Sequence, residues 1–385
     1  MIKNKNNSRV IFLLSKDLIH IIIVGDNMNK FKVCVYAISK NEEKFVERWV
    51  NSMKEADEIY VLDTGSTDNT VKFLKNKGVN VVVKKVSPWR FDIARNASLD
   101  LVPLDTDICV CTDLDEVFES GWRKKIEEKY IEGSRVGYTY NWHINESGLA
   151  DVTFILDKIH PRSGYSWTHP VHEVLKCDDV EKRIVIDEIV LNHFPDNNKS
   201  RSSYLELLEL SVKEDPLDDR NMHYLGREYM YYGKWIKCIE TLKKHLNLKS
   251  ATWNLERAAS MRYIARSYLN LGELDEAEYY YKMAINEASD TREGYVELGN
   301  LYYNQGKWLD SIYYLLKAKC IKDKPMVYVN EVFCWDNTID DLLSINYYNL
   351  EMYDLALYYV NKAIEYKSDE RLLNNKQIIE SIVKS

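Results

Sequence analysis

Two short acidic segments, each placed directly after an apolar run, constrain the fold of this chain most. Residues 58–62 precede the first segment, which begins at Asp63, and residues 107–111 precede the second, which contains Asp113 and Asp115. Both apolar runs have the composition of buried parallel strands. Because open α/β sheets bind ligands at the carboxyl ends of their strands, both segments fall where a nucleotide and a divalent metal would bind.

Strand and helix patterns alternate from residue 32 to the second acidic segment. The alternation predicts a mostly parallel, doubly wound sheet with right-handed crossovers. After Glu116 it loosens: residues 136–144 and 183–191 are predicted strands, and the stretch between them is predicted to be irregular. The earlier predicted strands are 32–38, 58–63, 79–83 and 107–113, and the predicted helices are 42–53, 66–77 and 91–101.

The chain changes character from residue 200 onward, where nearly every segment has the period of a helix. Four aligned segments begin at Gly233, Gly272, Gly306 and Glu351; a small residue or cysteine follows each start by five positions, and a tyrosine precedes it by four. A period of about 34 residues with this pattern resembles tetratricopeptide (TPR) repeats, which stack helix pairs into a solenoid. The resemblance covers residues 216–374, with 325–336 as an insertion, and it makes most tyrosines packing residues.

Composition limits the classes of protein to which this chain can belong. The net charge of −8 argues against nucleic-acid binding. The seven cysteines are scattered and unpaired in pattern, as in a reduced cytoplasmic protein. The apolar stretch 11–24 contains charges and is too short for a stable membrane span, so residues 1–30 are interpreted as a poorly ordered or loosely packed extension. Translation from Met28 is an alternative.

The acidic segments carry the chemistry expected of the site. Asp63 can accept a hydrogen bond from a base N–H or a ribose hydroxyl, or it can merely cap the turn, a role for which residues 66–68 are also available. Asp113 and Asp115 are two positions apart, so on an extended stretch their side chains point the same way. Such oxygen ligands suit Mg²⁺ or Mn²⁺ bound to a diphosphate.

These motifs together carry a family resemblance. A strand is followed in order by Ser39-Lys40-Asn41-Glu42, the Asp63–Asp68 segment, Ala94-Arg95-Asn96 and Asp113-Leu114-Asp115. Residues 32–200 thereby resemble a family 2 glycosyltransferase of the GT-A fold. The resemblance implies an α/β, Rossmann-like GT-A domain over 31–200. The helical period and the repeats predict a linker helix over 201–215 and an all-α TPR-like solenoid over 216–385. It also implies inverting transfer of a sugar from a nucleotide, commonly UDP-linked, with Mn²⁺ or Mg²⁺.

The resemblance also assigns roles to residues. Those expected at the nucleotide are Ala37, Asn41, Glu42, Asp63, Arg95 and Asp113. Asp115 is expected to bind the metal together with Asp113. His193 matches a late metal ligand of many GT-A enzymes, with a satisfied core histidine as the alternative. Lys199 and Arg201 could contact the diphosphate or be solvated charges.

An inverting transferase needs a general base within about 3 Å of the acceptor proton. Family members with a Val-His-Glu segment after the metal motif place the base there, and this chain has Val171-His172-Glu173. The resemblance therefore implies Glu173 as the base, with His172 as its orienter or as an alternative base. The competing interpretation is that Glu173 is a surface carboxylate.

The sequence leaves more than one chemical class of acceptor open. A family 2 domain followed by TPR-like repeats resembles the S- or O-glycosyltransferases that modify bacteriocin peptides (glycocins), and TPR arrays bind peptides or form dimer contacts. We expect a UDP-hexose or UDP-N-acetylhexosamine donor and a polypeptide acceptor, with a saccharide or lipid-linked acceptor as the alternative. The repeats could also form the contact of a homodimer. A catalytically inactive scaffold is the rival of another class. A sugar nucleotidyltransferase is disfavoured, because residues 36–42 lack the glycines of a triphosphate loop.

Overall fold

The computed structural model describes residues 9–15, 18–24, 31–144, 148–196 and 204–384. An α/β part built on a mixed sheet is followed by a part built from helices alone. The strands are β1 (Arg9–Ser15), β2 (Leu18–Val24), β3 (Val33–Ser39), β4 (Glu58–Asp63), β5 (Asn80–Val83), β6 (Ile108–Cys111), β7 (Glu116–Phe118), β8 (Ser134–Ile144), β9 (Ala150–Pro161), β10 (Tyr165–Thr168), β11 (Val174–Cys177) and β12 (Lys182–His193). The helices of the α/β part are α1 (Glu43–Met53), α2 (Thr70–Asn76), α3 (Phe91–Leu99) and α4 (Trp122–Lys129).

Eight strands form the main sheet, in the spatial order β5-β4-β3-β6-β9-β8-β12-β7. The first four are parallel, as the alternation predicts, so β3, β4 and β6 end at the same edge of the sheet. β9 runs antiparallel to β6 and β8, and β7 runs antiparallel to β12. The sheet is therefore mixed, and its parallel half positions both acidic segments.

Strand β9 corrects the expectation of an irregular stretch between residues 144 and 183. The strand pattern of β9 is hard to recognise because Lys158 lies on the inner face. Its side chain is only 16% exposed and faces Asp113 and Glu116. A buried, ion-paired lysine breaks the apolar alternation from which a strand is predicted. The short strands β10 and β11 pair antiparallel in the same stretch.

Helix α1 fixes the second acidic segment against the core. Phe45 and Trp49, one turn apart on its predicted apolar face, are buried against the sheet. The indole Nε1 of Trp49 also donates to Oγ1 of Thr112 at 3.0 Å. Since Thr112 directly precedes Asp113, core packing holds the start of this segment in place.

The N-terminal extension contains regular structure that the sequence analysis does not predict. β1 and β2 pair antiparallel, with Arg9 opposite Val24 and Ser15 opposite Leu18. They form a two-stranded sheet separate from the main one.

Ten α-helices and one short 3₁₀ helix (Val332–Cys334) make up the described C-terminal part, and eight of the α-helices form four successive pairs, α6–α7, α8–α9, α10–α11 and α12–α13. The four aligned segments are the turns within these pairs, and their first residues all have positive φ: 66° at Gly233, 82° at Gly272, 72° at Gly306 and 58° at Glu351. The predicted TPR-like repeat register is therefore confirmed. The helices are α5 (Tyr204–Glu214), α6 (Asp219–Tyr231), α7 (Trp235–Asn247), α8 (Asn254–Leu271), α9 (Leu274–Glu287), α10 (Glu293–Asn304), α11 (Trp308–Cys320), α12 (Thr338–Asn349), α13 (Tyr353–Tyr366) and α14 (Glu370–Val383). Among the helices described here, none has the length and apolar character needed to cross a membrane.

The repeat positions are used for packing between paired helices. The small residue after each turn (Cys238, Ala277, Ser311 or Ala356) is fully buried. In three pairs the tyrosine before the turn stacks on a tyrosine of the second helix: Tyr268 on Tyr280, Tyr302 on Tyr314, and Tyr347 on Tyr359. These stacks support the interpretation of the tyrosines as inter-helix packing residues.

Candidate active site

Asp63 ends β4 with its carboxylate fully buried. Its Oδ1 accepts from the N–H groups of Gly65 (3.0 Å) and Ser66 (2.8 Å), and its Oδ2 accepts from the hydroxyls of Ser39 (2.8 Å) and Ser66 (2.5 Å). The turn-capping interpretation therefore describes what this carboxylate does in the structure. Contact with a nucleoside stays a prediction, and it would have to replace one of these donors.

The loops after β3 and β4 are joined at the same edge. The N–H of Asn41 donates to Oγ of Ser66 at 2.8 Å, and Oδ1 of Asn41 accepts from the N–H of Thr67 at 2.7 Å. Asn41 is exposed at this edge, whereas Glu42 is 8% exposed. Ala37 is fully buried in the sheet core, and its place near the nucleoside stays a prediction.

Arg95, on α3, connects the second acidic segment to the loop before β11. Its Nη2 donates to both oxygens of Asp113 (2.8 and 3.0 Å), and its Nε donates to Oε1 of Glu173 at 2.5 Å. The guanidinium also lies over the Trp167 ring, 5.3 Å from its centroid. Contact of Arg95 with the nucleotide stays a prediction. The structure instead shows it positioning two carboxylates, which the sequence does not indicate.

Lys158 is a site residue that the sequence analysis missed. Its Nζ lies 3.5 Å from Asp113 and 3.8 Å from Glu116. Burial alone would raise the pKa of Asp113, but the charges of Arg95 and Lys158 outweigh it and hold that pKa below its ordinary value. Burial raises the pKa of Glu116, although Lys158 opposes this. Asp113 is therefore an ionised carboxylate with two protein cations beside it.

Asp113 and Asp115 do not lie on an extended stretch. The N–H of Glu116 donates to the carbonyl of Asp113 at 3.1 Å, and the N–H of Asp113 donates to Oε2 of Glu116 at 2.8 Å. This turn sends the two aspartates to different partners, which corrects the expectation that both face the same way. Asp113 faces Arg95, and Asp115 faces the end of β12.

Asp115 and His193 come together at this edge. His193 Nε2 lies 3.5 Å from Oδ2 of Asp115, and its Nδ1 lies 3.1 Å from the carbonyl of Trp142. Burial would lower the pKa of His193, but Asp115 outweighs it and raises that pKa. A carboxylate oxygen and an imidazole nitrogen at this separation form a donor set that fits Mn²⁺ and, less well, Mg²⁺.

Arg48, on α1, is a second site residue that the sequence analysis missed. Its guanidinium lies 4.3 Å from the Phe194 ring centroid and 5.4 Å from that of Phe45. Burial lowers its pKa, and the nearby charge of Asp115 opposes this. Its Nε and Nη2 are buried and have no hydrogen-bond partner in the described chain. Such donors point to a ligand oxygen, because buried polar groups are rarely left unpaired.

Glu173 and His172 face different neighbours. Glu173 is 10% exposed and bonded to Arg95, so it lies with the aspartates as predicted for a site residue but is no surface carboxylate. The His172 ring stacks on Tyr224 of α6, with centroids 4.1 Å apart, which points it toward the repeats. Its predicted role as orienter or base stays untested. Lys199 and Arg201 lie outside the described residues.

Residues 34–161 match the model of the family described as Glycosyl transferase family 2. The matched range runs from β3 to the end of β9, so it contains both acidic segments and Lys158. This part of the chain, with its carboxylates at the carboxyl edge of the sheet, is thus similar to family 2 glycosyltransferase domains. The resemblance seen in the sequence is confirmed for this part of the chain.

Similar proteins cover limited parts of the chain. An uncharacterized glycosyltransferase of Rickettsia bellii (strain RML369-C) is 34% identical over 108 residues, which are 26% of this chain and 36% of that protein. One of Rickettsia typhi (strain ATCC VR-144 / Wilmington) is 44% identical over 59 residues, 15% of this chain and 19% of that protein. The chain therefore spans 36% or less of the length of these two relatives.

Solved structures match the helical part weakly. MamA is 21% identical with a TM-score of 0.36, covering 45% of this chain and 96% of MamA. A thermophilic TPR protein of Thermus thermophilus is 18% identical with a TM-score of 0.32, covering 48% of this chain and 91% of that protein. The repeat architecture accordingly rests on the helix pairs of this chain.

Proposed function

We propose that the protein is an inverting glycosyltransferase that moves a sugar from a nucleotide donor, a UDP-hexose or UDP-N-acetylhexosamine, to an acceptor. The observation that carries the proposal is the cluster at the sheet edge, where Arg95 bonds both Asp113 and Glu173 while Asp115 lies beside His193. In this arrangement the donor lies against the aspartates. The acceptor approaches from the side of Glu173.

Asp115 and His193 are the residues that would hold a divalent cation, Mn²⁺ or Mg²⁺. When bound, such a cation would supply positive charge that stabilises the departing diphosphate. Arg95 and Lys158 already compensate the charge of Asp113, so Asp113 orients its neighbours and Asp115 is the freer ligand. Arg48 offers its unpaired N–H groups to diphosphate oxygens on the same side.

Glu173 acts as the general base in this proposal. The Arg95 bond fixes the direction of its carboxylate, and a base must be positioned in this way before it takes a proton. The acceptor proton passes to Glu173 while the acceptor atom bonds the anomeric carbon and the bond to the diphosphate breaks. His172 then belongs to the acceptor side, since it packs against the repeats.

The acceptor is proposed to be a polypeptide held with the help of the repeats. Helix α6 contacts the loop that carries Glu173, so an acceptor bound along the repeats can reach the base. The enzyme is proposed to work in the cytoplasm, where its seven unpaired cysteines stay reduced.

A donor-hydrolysis screen tests the proposal. The full chain is incubated with UDP-, GDP- and TDP-linked sugars, with and without Mn²⁺, and nucleotide release is measured. Release of UDP that depends on the cation supports the function. If every sugar nucleotide stays intact and UDP does not bind in calorimetry, the proposal fails and the inactive scaffold becomes the better account.

A further inference from the structure

The first repeat helix lies directly beside the loop that carries the proposed base. Nη1 of Arg220, on α6, donates to the backbone carbonyl of His172 at 3.1 Å. One turn further along α6, the Tyr224 ring stacks on the His172 ring. Because His172 precedes Glu173 in the chain, this face of α6 borders the acceptor side of the catalytic site.

Two arginines flank one aromatic ring on this face. The guanidinium of Arg220 lies 5.2 Å from the Tyr224 ring centroid, and that of Arg227 lies 4.6 Å from it. Tyr328, from the insertion 325–336, adds a second ring 5.8 Å away. Arg220, Tyr224, Arg227 and Tyr328 are named here the cradle.

Neither cradle arginine forms an ion pair with a carboxylate in the part of the chain that the structure describes. Other arginines of the repeats do: Arg257 pairs with Glu287, and Arg262 and Arg266 pair with Glu297. Nε of Arg227 is buried and has no hydrogen-bond partner among the described residues. A buried N–H group without an acceptor is unfavourable, so this nitrogen favours a ligand oxygen beside the ring.

Glu256, a buried acid of helix α8, is already engaged. Glu256 accepts a hydrogen bond from the hydroxyl of Tyr328, and its Oε1 lies 3.5 Å from Nε2 of His245. Ser260 links His245 to His223 through contacts of 3.0 and 2.7 Å. This buried network fixes Tyr328 in the cradle, and among the described residues Glu256 forms no ion pair with Arg220 or Arg227.

We propose that the cradle binds a carboxylate of an acidic segment in the acceptor polypeptide, close to the residue that receives the sugar. The planar guanidinium groups match a carboxylate with paired hydrogen bonds, and the tyrosine rings flank the backbone next to it. With a net charge of −8, most of the protein repels an acidic peptide, so local positive charge selects where such a peptide lies. This inference rests on the proposed function and adds the chemistry of the acceptor.

The test measures binding of a fluorescein-labelled oligoglutamate peptide to the full chain by anisotropy. We expect Arg227→Gln to weaken binding at least about tenfold, the effect of losing one charged hydrogen bond. Arg227→Lys should recover only part of it, because lysine lacks the planar fork. The matched control is Arg371→Gln, since that arginine is already paired with Asp341 on a distant repeat; it should bind like the unaltered chain.

Several outcomes overturn the proposal: no binding of oligoglutamate, equal binding by Arg227→Gln, or equal loss in the Arg371→Gln control. Binding of oligogalacturonate through Arg227, with none of oligoglutamate, would assign the cradle to an anionic saccharide instead. UDP binding and donor hydrolysis are measured on the same samples, and Arg227→Gln should leave both unchanged. Their absence from the unaltered chain would count against the glycosyltransferase function, whereas their presence without peptide binding would count against the cradle alone.

Discussion

Arg95 Nε donates a 2.5 Å hydrogen bond to Oε1 of Glu173, although 78 residues separate the two in the chain. The other arm of the same guanidinium holds Asp113. One side chain therefore sets the distance between the carboxylate of Asp113 and the carboxylate proposed as the base. The two carboxylates form a coupled unit, so a change at Arg95 affects both.

Arg95→Gln removes the charge between these carboxylates. We expect it to lower the free energy of unfolding by about 3 kcal/mol, the low end for a broken buried pair because Asp113 is 34% exposed. Turnover should fall about 10²-fold through lost positioning. Arg95→Lys should recover stability more than turnover, and Arg183→Gln, at an exposed arginine, should change neither. Urea unfolding and nucleotide release measure these effects; full turnover in Arg95→Lys would contradict the positioning role.

Asp115→Asn tests the cation site. The change keeps the shape of the side chain but removes the charge beside His193, so kcat should fall about 10²-fold or more. Asp105→Asn is the matched control, because Asp105 is an exposed partner of Lys32 outside the site. Turnover is measured against Mn²⁺ concentration. Near-normal activity of the unaltered chain in excess EDTA would argue against any cation requirement.

Glu173→Gln separates binding from chemistry. The amide oxygen still accepts the Arg95 hydrogen bond, but the side chain can no longer take a proton. Calorimetry should show unchanged UDP-sugar binding, while transfer slows about 10²-fold or more, the scale of a lost general base. Glu128→Gln, at an exposed site on α4, is the control. Loss of donor binding with normal turnover at saturation would exclude Glu173 as the base.

The sequence predicts those parts of the fold whose residues repeat a simple pattern. Strands β3 and β6 are found because they are buried on both faces and have continuous apolar sequences, and the second half of β4 is buried in the same way. The helix pairs are found because each turn repeats a left-handed residue, a glycine in three repeats and Glu351 in the fourth. Local chemistry decides these elements, so local sequence reveals them.

The sequence does not predict contacts made between distant segments. Lys158 resembles a surface residue in the sequence because its partners, Asp113 and Glu116, lie more than forty positions away. Arg95 falls in a recognisable motif, but its bond to Glu173 depends on how the loop before β11 folds back over α3. No sequence pattern marks a charged side chain that will lie on the inner face of a sheet. Lys158 is buried only because β9 pairs antiparallel with β6.

Arg48→Gln tests the proposed diphosphate contact. The variant keeps a polar group between Phe45 and Phe194 but loses the charge near Asp115. We expect the Kd for UDP to rise about tenfold, because a charged hydrogen bond to phosphate is lost, and kcat to change less. Lys44→Gln, at an exposed lysine on the same helix, is the control. Unchanged UDP affinity in Arg48→Gln would remove Arg48 from the donor site.

A buried histidine makes the stability of the α/β part depend on pH. His160 is fully buried, and its Nδ1 lies 2.7 Å from the carbonyl of Pro161, which can only accept, so Nδ1 carries the proton. Its Nε2 then accepts from the Tyr36 hydroxyl at 2.8 Å. Burial lowers the pKa of His160 from 6.5 to about 3, so the folded protein keeps this ring neutral.

This lowered pKa of His160 fixes the sign of the pH effect. Between the ordinary pKa of 6.5 and the folded pKa of about 3, the unfolded chain binds a proton that the folded chain refuses, so stability falls as the pH is lowered. Because of His160, the free energy of unfolding falls by up to about 1.4 kcal/mol for each pH unit. In urea titrations across this range, His160→Gln should flatten the profile by that slope, whereas His143→Gln, at a half-exposed histidine, should keep it. Equal slopes in the unaltered chain and His160→Gln would show that His160 is protonated in the folded state.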